Sequence, residues 1–213
     1  MPIPWNADPP GYDQQLLLNA ERVLRSIVES SDERDPPTVA MAQDWHRHLY
    51  DGVPLPVSYY AGEVRDSDQR FPELVGYEVS VGYLSGTPSA QVWPELTDFE
   101  RRAQIGVSRI DAAIAVAAKP ITPEQLGGVI AFCAMMHGEW IRIHPFANGN
   151  GRTARLWTNW TAVRYGLPPF VAIKPRPGDP AYRQAAAASM SGDHKVAVAA
   201  FAAMFRTSLQ ALD

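Results

Sequence analysis

The chain has 213 residues, of which 46% are hydrophobic and 20% are charged, as in a folded globular domain and unlike a disordered segment. Its 19 basic and 23 acidic side chains leave a formal net charge of -4, so no basic excess is available for general binding to nucleic acid. No apolar run approaches the roughly 20 residues that a membrane-spanning helix needs. The sequence therefore predicts neither a nucleic-acid partner nor a membrane partner.

Cysteine content and the first residues bear on the cellular compartment. Cys133 is the only cysteine, so no disulfide can form within the chain, which is typical of a reducing compartment. The first ten residues, MPIPWNADPP, contain neither the basic segment nor the apolar segment of a secretory signal. From these features we expect a cytoplasmic protein.

Two helices are predicted ahead of residue 54. Apolar residues recur at helical spacing between about 12 and 29, and a cluster of charged residues and prolines then interrupts the pattern. A second helix is predicted over 38–50, because Asp51-Gly52 and two prolines follow it. Residues 1–54 are thus interpreted as N-terminal helices.

Residues 57–92 differ in composition, because β-forming tyrosines and valines there are interrupted by glycines. The stretch VGYEVSVGYL, at 75–84, alternates in part between apolar and polar side chains and predicts a strand. We interpret this region as a short β-hairpin, or flap, that is too small to form a sheet domain.

Helical periodicity returns in the second half of the chain. One helix has a readable start, since Thr122 can cap it, Pro123 suits its first position and Gln125 completes a capping box. The apolar face of this helix is predicted to be buried. Further helices are predicted over 96–118, 151–165, 180–191 and 195–212. The predicted fold class is therefore all-α, a helical bundle with a short β-hairpin flap.

One segment carries the residues for chemistry, HPFANGNGRTAR at 144–155. A buried helix ends there, two glycines let backbone N–H groups converge, and a new helix begins, which together predict an anion site. Arg152 and Arg155 share a face of that helix and suit a polyphosphate. His144 precedes the loop and is suited to accept a proton near neutral pH. Asn148 offers a neutral oxygen to Mg²⁺ or phosphate.

Each of these features also occurs in proteins where it binds nothing. Glycine-rich loops precede many helices, a histidine at a helix end is often a cap, and arginines often pair with acidic groups. Their combination within twelve residues indicates a functional site.

This segment resembles the motif of the Fic family, HPFx[D/E]GNGRxxR, at nearly every position. The sequence AGEVR, at 61–65, is similar to the Gly-x-x-Arg start of the family's flap, and 181–193 resemble its helix between a tyrosine and Gly-Asp. The resemblance covers 55–205 and implies a Fic-like catalytic core with the flap at about 62–84. Residues 206–213 would form the end of the C-terminal helix.

The resemblance implies a protein nucleotidyltransferase that moves AMP from ATP to a Tyr, Thr or Ser hydroxyl of a target protein. ATP would be the co-substrate and Mg²⁺ the cofactor, with Asn148 at the metal-ligand position. His144 would be the general base, and Arg152 and Arg155 would hold the β- and γ-phosphates. The catalytic residues implied are His144, Asn150 and Arg152. The nucleotide-binding residues implied are Asn148, Gly149, Asn150, Gly151, Arg152, Arg155 and Tyr182, the last beside adenine.

Two positions depart from the family's pattern. Asn148 stands where the family has Asp or Glu, and an amide oxygen contributes no charge to Mg²⁺ binding. Slower adenylylation, a different nucleotide donor and lost activity all stay open. Met190 stands where a polar residue near the ribose or base is expected.

The family is often inhibited by a helix with the motif (S/T)xxxE(G/N), whose glutamate pairs with the second motif arginine. No Ser or Thr of this chain has Glu four residues later. We therefore expect either a separate small antitoxin that supplies an inhibitory Glu in trans, as in a toxin-type effector, or control of another kind.

Two rival functions remain. The Doc branch of the same fold phosphorylates its target and carries Lys where this chain has Gly151, which disfavours a protein kinase here. A catalytically weakened binding module is the other rival, and Asn148 is the motif feature that favours it.

Overall fold

The computed structural model describes residues 2–66 and 68–210. This part of the chain forms a bundle of helices and one two-stranded antiparallel sheet, which confirms the predicted all-α fold with a short hairpin. The helices are α1 (Asp13–Glu29), α2 (Val39–Leu49), α3 (Val92–Asp111), α4 (Pro123–Ile143), α5 (Asn150–Arg164), α6 (Pro180–Met190) and α7 (Lys195–Gln210). The strands are β1 (Ser80–Val81) and β2 (Leu84–Ser85). Within the described ranges, no helix is long and apolar enough to cross a membrane.

Helix α4 is the element around which α3, α5, α6 and α7 pack. It begins as its sequence predicts, because the Thr122 hydroxyl accepts the Gln125 N–H and the Gln125 side chain accepts the Thr122 N–H. It ends at His144, whose backbone is left-handed with φ 53° and ψ 56°. The chain turns there directly into the loop of the motif.

Helix α5 lies at the centre of the molecule, and all of its residues except Gly151 are buried. Its Asn159 side chain bonds to the backbone of Phe170 and Val171 and so fixes the segment that follows the helix. The two arginines of the motif therefore start from a closely packed, buried helix, which restrains where their guanidinium groups can go.

The two strands of the flap are shorter than its sequence predicts. The expected strand over 75–84 is wrong, because only residues 80–81 and 84–85 pair. Gly76 and Gly82 adopt positive φ values of 66° and 62°, which break the extended run. Tyr77 is buried, and its carbonyl accepts a hydrogen bond from Arg65 instead of from a neighbouring strand.

The predicted end of α3 at residue 118 is also wrong. The helix stops at Asp111, and the guanidinium of Arg34 takes the carbonyls of Ile114 and Ala115 beyond it. Arg34 is remote in sequence, so helical periodicity alone could not reveal this stop. The same helix starts at Val92, four residues before the predicted 96. The other predicted helix ends lie within two residues of the observed ones, and the expected end at Leu212 lies outside the described residues.

Residues 2–12 have no regular structure but are firmly anchored. The Trp5 ring is buried and packs edge-on against Tyr50, with 4.6 Å between ring centroids. The backbone N–H of Trp5 donates to the Tyr77 hydroxyl at 2.8 Å, and the Tyr60 hydroxyl donates to the Ile3 carbonyl at 2.6 Å. This segment therefore runs between α2 and the flap and reaches the cavity described next.

Candidate active site

A cavity of about 1180 Å³ lies where the motif loop, the flap, α6 and the N-terminal segment meet. It is large enough for a nucleotide and leaves space for a second reactant. Five basic side chains line it, against three acidic ones, although the whole chain is acidic. The basic residues are Arg152, Arg155, Lys174, Arg176 and Arg183, and the acidic ones are Asp8, Asp13 and Glu78.

His144 lines this cavity in a single defined tautomer. Its Nδ1 lies 2.8 Å from the Ile141 carbonyl oxygen. A carbonyl can only accept, so Nδ1 carries the proton and Nε2 keeps its lone pair. Burial, with a contribution from the Arg65 charge, lowers the pKa of His144 to about 4. The ring is therefore neutral near pH 7, and its Nε2 is available as a base.

Arg65 holds His144 in place from inside the protein. Its guanidinium is fully buried and donates to the carbonyls of His144 at 2.9 Å, Tyr77 at 2.7 Å, Thr87 at 2.8 Å and Ile143 at 3.2 Å. Two of these carbonyls belong to the C-terminal end of α4 and two to the flap. The sequence indicated only that Arg65 starts the flap, because its partners lie 12 to 79 positions away along the chain.

Gly86 lets the flap approach the base closely. A Cβ atom at this position would lie 2.9 Å from His144 Cβ and 2.9 Å from Val79 Cγ2, which is closer than real Cβ contacts allow. His144 Cβ is fixed to the backbone and cannot move aside easily. Glycine is therefore required where the flap passes His144.

Asn150 shapes the motif loop through its side chain. Its Oδ1 accepts the Phe146 N–H at 2.9 Å, and its Nδ2 donates to the Phe146 carbonyl at 2.8 Å. Gly149 precedes it with φ 77°, and α5 starts at Asn150. The first N–H groups of a helix have no intrahelical acceptor, so those of Asn150 and Gly151 are the backbone donors that this turn offers to an anion.

Asn148 is half-buried, and its Oδ1 accepts the Gly149 N–H at 2.6 Å. The side chain thus occupies one backbone donor of the loop. Within the described ranges, no three His, Cys, Asp or Glu side chains gather as a metal site. The side-chain oxygen of the predicted metal ligand, Asn148, is neutral and already accepts a hydrogen bond, so it is a weaker ligand for Mg²⁺ than a carboxylate would be.

Arg152, the first arginine of the motif, forms an ion pair with a carboxylate. Its NH1 and NH2 atoms lie 2.6 and 2.7 Å from the two oxygens of Asp8, and NH2 also donates to the Tyr50 hydroxyl. Lys174 Nζ lies 3.6 Å from the same carboxylate. Sequence reasoning missed Asp8, because it stands in a proline-rich segment with no periodicity or motif.

Arg155 is directed by α6 and by the segment before it. Its Nε and NH2 donate to the Ile173 carbonyl at 3.1 and 2.7 Å, and its NH1 lies 3.2 Å from the Tyr182 hydroxyl. That hydroxyl also lies 3.0 Å from His137 Nε2. Tyr182 lines the cavity but is 1% exposed, so the polar end of its side chain supports Arg155.

The sequence model of the Fic/DOC family matches residues 36–162, which is more than half of the chain. The chain belongs to the Fic/DOC family. Its fold agrees with that of solved Fic-domain structures. A fragment of Fic-1 from C. elegans superimposes with a TM-score of 0.63 at 23% identity, over 99% of this chain and 53% of that one. BepC from Bartonella tribocorum with bound AMPPNP gives a TM-score of 0.54 at 14% identity, over 88% and 85%.

Curated relatives of this Fic/DOC chain match over short stretches. A uridine 5'-monophosphate transferase from Xanthomonas campestris pv. campestris is 50% identical over 42 residues, which are 20% of this chain and 8% of the relative. A protein adenylyltransferase Fic from Aedes aegypti is 44% identical over 45 residues, or 21% and 9%. The matched part of the Fic/DOC chain therefore spans less than a tenth of the length of these two relatives.

Proposed function

We propose that this chain transfers a nucleoside monophosphate, AMP from ATP in the first instance, to a Tyr, Thr or Ser hydroxyl of a target protein. The observation that carries the proposal is the tautomer of His144. Its Nε2 has a free lone pair among the described residues and lies beside a glycine loop in a basic cavity. The names of the relatives, which include protein adenylyltransferase, support the same reaction class.

In the proposed reaction, the hydroxyl proton of the target passes to His144 Nε2 while the hydroxyl oxygen attacks the α-phosphorus. A new P–O bond forms, the bond between the α-phosphorus and the bridging oxygen breaks, and pyrophosphate leaves with that electron pair. The N–H groups at the start of α5 would stabilise the charge on the α-phosphate oxygens. Arg152 and Arg155 would hold the β- and γ-phosphates, which keeps the leaving group in line.

A divalent cation would enter this scheme with the nucleotide. Mg²⁺ prefers hard oxygen ligands, and phosphate oxygens would supply most of them. From the chain, Asn148 offers one neutral oxygen. None of the residue roles given above therefore depends on a metal held by the protein.

The flap would present the target segment to His144. Among its side chains, Val81 is 46% exposed and Tyr83 is 95% exposed. Strand β1 pairs only with β2 along two residues, so an extended peptide could add its own main-chain hydrogen bonds to the flap. Arg65 and Gly86 would hold that peptide's hydroxyl near His144 by fixing the flap against the motif loop.

The nucleotide base would lie against α6. Ala186, Ala187 and Met190 give the cavity an apolar wall there, beside Tyr182. Such a wall suits the face of any base and does not select adenine over uracil. Because one relative is named a uridine 5'-monophosphate transferase, UTP is the alternative donor that a test must include.

Phosphoryl transfer of the Doc type is the rival reaction. A Cβ atom at Gly151 would lie 3.2 Å from Arg155 NH1, so a side chain there would crowd this arginine. The absence of a side chain at Gly151 favours nucleotidyl transfer, in which Arg155 binds the γ-phosphate.

The proposed catalytic core is 55–205 with the flap at about 62–84, and it is preceded by helices in 1–54. The proposed C-terminal segment is 206–213, of which 211–213 lie outside the described residues. We propose further that the protein acts in the cytoplasm as a toxin-type effector, restrained in trans by a small antitoxin.

Transfer of radioactive label distinguishes these reactions. The purified protein is incubated with a cell lysate and ATP that is labelled either at the α- or at the γ-phosphate, in parallel with α-labelled UTP. The proposal predicts protein-bound label from the α-position and none from the γ-position, and His144→Ala should abolish it. Label from the γ-position would identify a kinase, and no label from either position would favour a binding module.

A further inference from the structure

His46, on α2, forms a bridge between the flap and the motif loop. Its Nδ1 lies 2.9 Å from the Gly62 backbone nitrogen, and its Nε2 lies 3.0 Å from the Asn148 carbonyl oxygen. The ring is fully buried and stacks on Phe146 with 3.8 Å between centroids. A Cβ atom at Gly149 would lie 2.6 Å from Nε2, so the imidazole lies directly against the loop backbone.

The two hydrogen bonds define the tautomer of His46. A backbone N–H can only donate, so Nδ1 accepts from Gly62 and carries no proton. The proton is then on Nε2, which donates to the Asn148 carbonyl. Burial lowers the pKa of His46 to about 3, so the ring stays neutral over the physiological pH range.

The orientation of one peptide group follows from this bridge. The peptide between Asn148 and Gly149 is planar and trans, so its N–H points opposite to its C=O. With the carbonyl directed to His46, the Gly149 N–H faces the other side, where it now meets Asn148 Oδ1. A rotated peptide would instead turn its carbonyl oxygen toward an incoming phosphate and repel it.

We propose that His46 is a positioning residue that holds the Asn148–Gly149 peptide with its N–H toward the nucleotide phosphates. The inference rests on the proposed function and adds a residue that lies outside the motif. Because the same ring accepts the Gly62 N–H, His46 also ties the start of the flap to the phosphate loop.

Three variants separate the two bonds of His46. His46→Gln keeps an amide N–H at the reach of Nε2, His46→Asn places its oxygen near Nδ1 only, and His46→Phe keeps the ring but loses both bonds. His48→Gln on the same helix is the control, because His48 is exposed. The readouts are the Tm, the ATP affinity by calorimetry, and kcat and KM for transfer.

We expect His46→Phe to lower kcat about 100-fold, the size typical for losing one preorganised donor to the developing charge. His46→Gln should recover most of this loss and His46→Asn should not, while the control stays within twofold of wild type. If His46→Phe fails to fold, the difference in kcat between His46→Gln and His46→Asn still tests the inference. Equal kcat values for Gln and Asn, or a kcat of His46→Phe within twofold of wild type, would overturn the inference. A wild-type protein that binds no ATP would instead refute the proposed function.

Asp8 forms a two-pronged ion pair with Arg152, because NH1 of the arginine lies 2.6 Å from one carboxylate oxygen and NH2 lies 2.7 Å from the other. This paired geometry is the one in which a guanidinium binds two oxygens of a phosphate. Burial raises the pKa of Asp8, but pairing with Arg152 and Lys174 outweighs it and the net pKa is lowered, so the carboxylate is charged near pH 7. Trp5, anchored between α2 and the flap, keeps Asp8 at this place.

We infer that Asp8 competes with the β-phosphate of the nucleotide for Arg152. This inference also rests on the proposed function. It differs from the family's inhibitory helix in both partners, because the carboxylate comes from an extended segment and meets the first motif arginine. The (S/T)xxxE(G/N) motif, which this chain lacks, gives no indication of a contact of this kind.

The test measures ATP and adenosine binding to wild type, Asp8→Asn and Asp8→Glu by calorimetry. Asp8→Asn should tighten ATP binding about tenfold, because it removes one charged competitor, and should leave adenosine binding unchanged. Asp8→Glu should stay near wild type. Asp51→Asn, which breaks an exposed pair with Arg22, is the matched control and should have no effect. An ATP affinity of Asp8→Asn equal to or below that of wild type would overturn the inference, whereas no ATP binding by any variant would refute the proposed function.

Discussion

The Arg65 guanidinium donates to the backbone carbonyl of His144 at 2.9 Å, in a place that solvent does not reach. The same group bonds to the carbonyls of Tyr77 and Thr87 on the two sides of the flap hairpin. Burial lowers the pKa of Arg65 to about 10, which still leaves it charged near pH 7. The proposed base and the flap are therefore held by one buried cation.

Replacing Arg65 should affect both stability and transfer. Arg65→Ala leaves four buried carbonyls without their donor, and we expect the free energy of unfolding to fall by about 3 kcal/mol or more. Arg65→Lys keeps the charge but cannot reach four carbonyls from one ammonium, so it should fold and show a lower kcat. Urea denaturation and transfer assays measure these effects, with Arg101→Ala, in an exposed pair with Asp98, as the control. Wild-type stability for Arg65→Ala would contradict the role given to the buried cation.

Removing the proposed base should affect rate and not binding. The His144 side chain donates to the Ile141 carbonyl, and none of the hydrogen bonds of His144 to the described residues reaches Arg152 or Arg155. His144→Ala should therefore lower kcat by about 10²–10⁴, the usual range for a general base, and leave ATP affinity within threefold. Calorimetry and initial rates measure both quantities. Transfer by His144→Ala at the wild-type rate would exclude the base role.

The lowered pKa of His144 predicts an unusual pH profile. Since the value is about 4, Nε2 stays unprotonated well below neutral pH, and the transfer rate should be level from pH 8 down to about 5.5. An ordinary histidine would give an acidic limb near pH 6.5. Initial rates across this range, on protein shown to be folded at each pH, distinguish the two. An acidic limb centred at 6.5 would mean that the ring is hydrated in the working enzyme.

Stability should also fall in acid, because of the buried histidines His46 and His137 and the half-buried His144. Burial lowers the pKa of His46 and His137 to about 3 and that of His144 to about 4, whereas a solvent-exposed histidine has a pKa of 6.5. Below pH 6.5 the unfolded chain therefore binds more protons than the folded chain does. The contribution of these histidines to the free energy of unfolding decreases as the pH falls from about 6.5 to about 3. Urea denaturation at a series of pH values tests this. Stability that does not change between pH 7 and 4.5 would show that these side chains can be protonated without cost.

Asn148→Asp should raise activity at low Mg²⁺ concentration. The change supplies a charged hard oxygen at the position where the family has an acidic residue. The Oδ1 atom of Asn148 now accepts the Gly149 N–H, and a carboxylate has a second oxygen left for a cation. Initial rates are measured against Mg²⁺ for both proteins. A Mg²⁺ dependence of Asn148→Asp that is unchanged or weaker would show that this position does not serve the cation.

The sequence revealed those parts of the site that lie close together along the chain. The capping box at Thr122, the end of α4 at His144 and the glycine turn before α5 all depend on neighbouring residues, and the structure has each of them. Helical periodicity located the helices because each buries a face against α4 or α5. Local patterns were therefore sufficient for the fold class and for the motif.

Contacts between distant residues could not be found in this way. Asp8 reaches Arg152 across 144 positions, and His46 reaches Asn148 across 102. Neither residue belongs to a motif. The flap was predicted with too much strand, because the carbonyl of Tyr77 bonds to Arg65 in the interior and not to another strand. Such pairings depend on tertiary packing, on which periodicity carries no information.

Mass spectrometry of proteins from cells that express the wild-type chain or His144→Ala tests the central claim most directly. The account predicts peptides with AMP on Tyr, Thr or Ser side chains in the wild-type sample and none in the His144→Ala sample. Adducts of phosphate alone, or no adduct on any hydroxyl while the purified wild-type protein is folded and binds ATP, would contradict it.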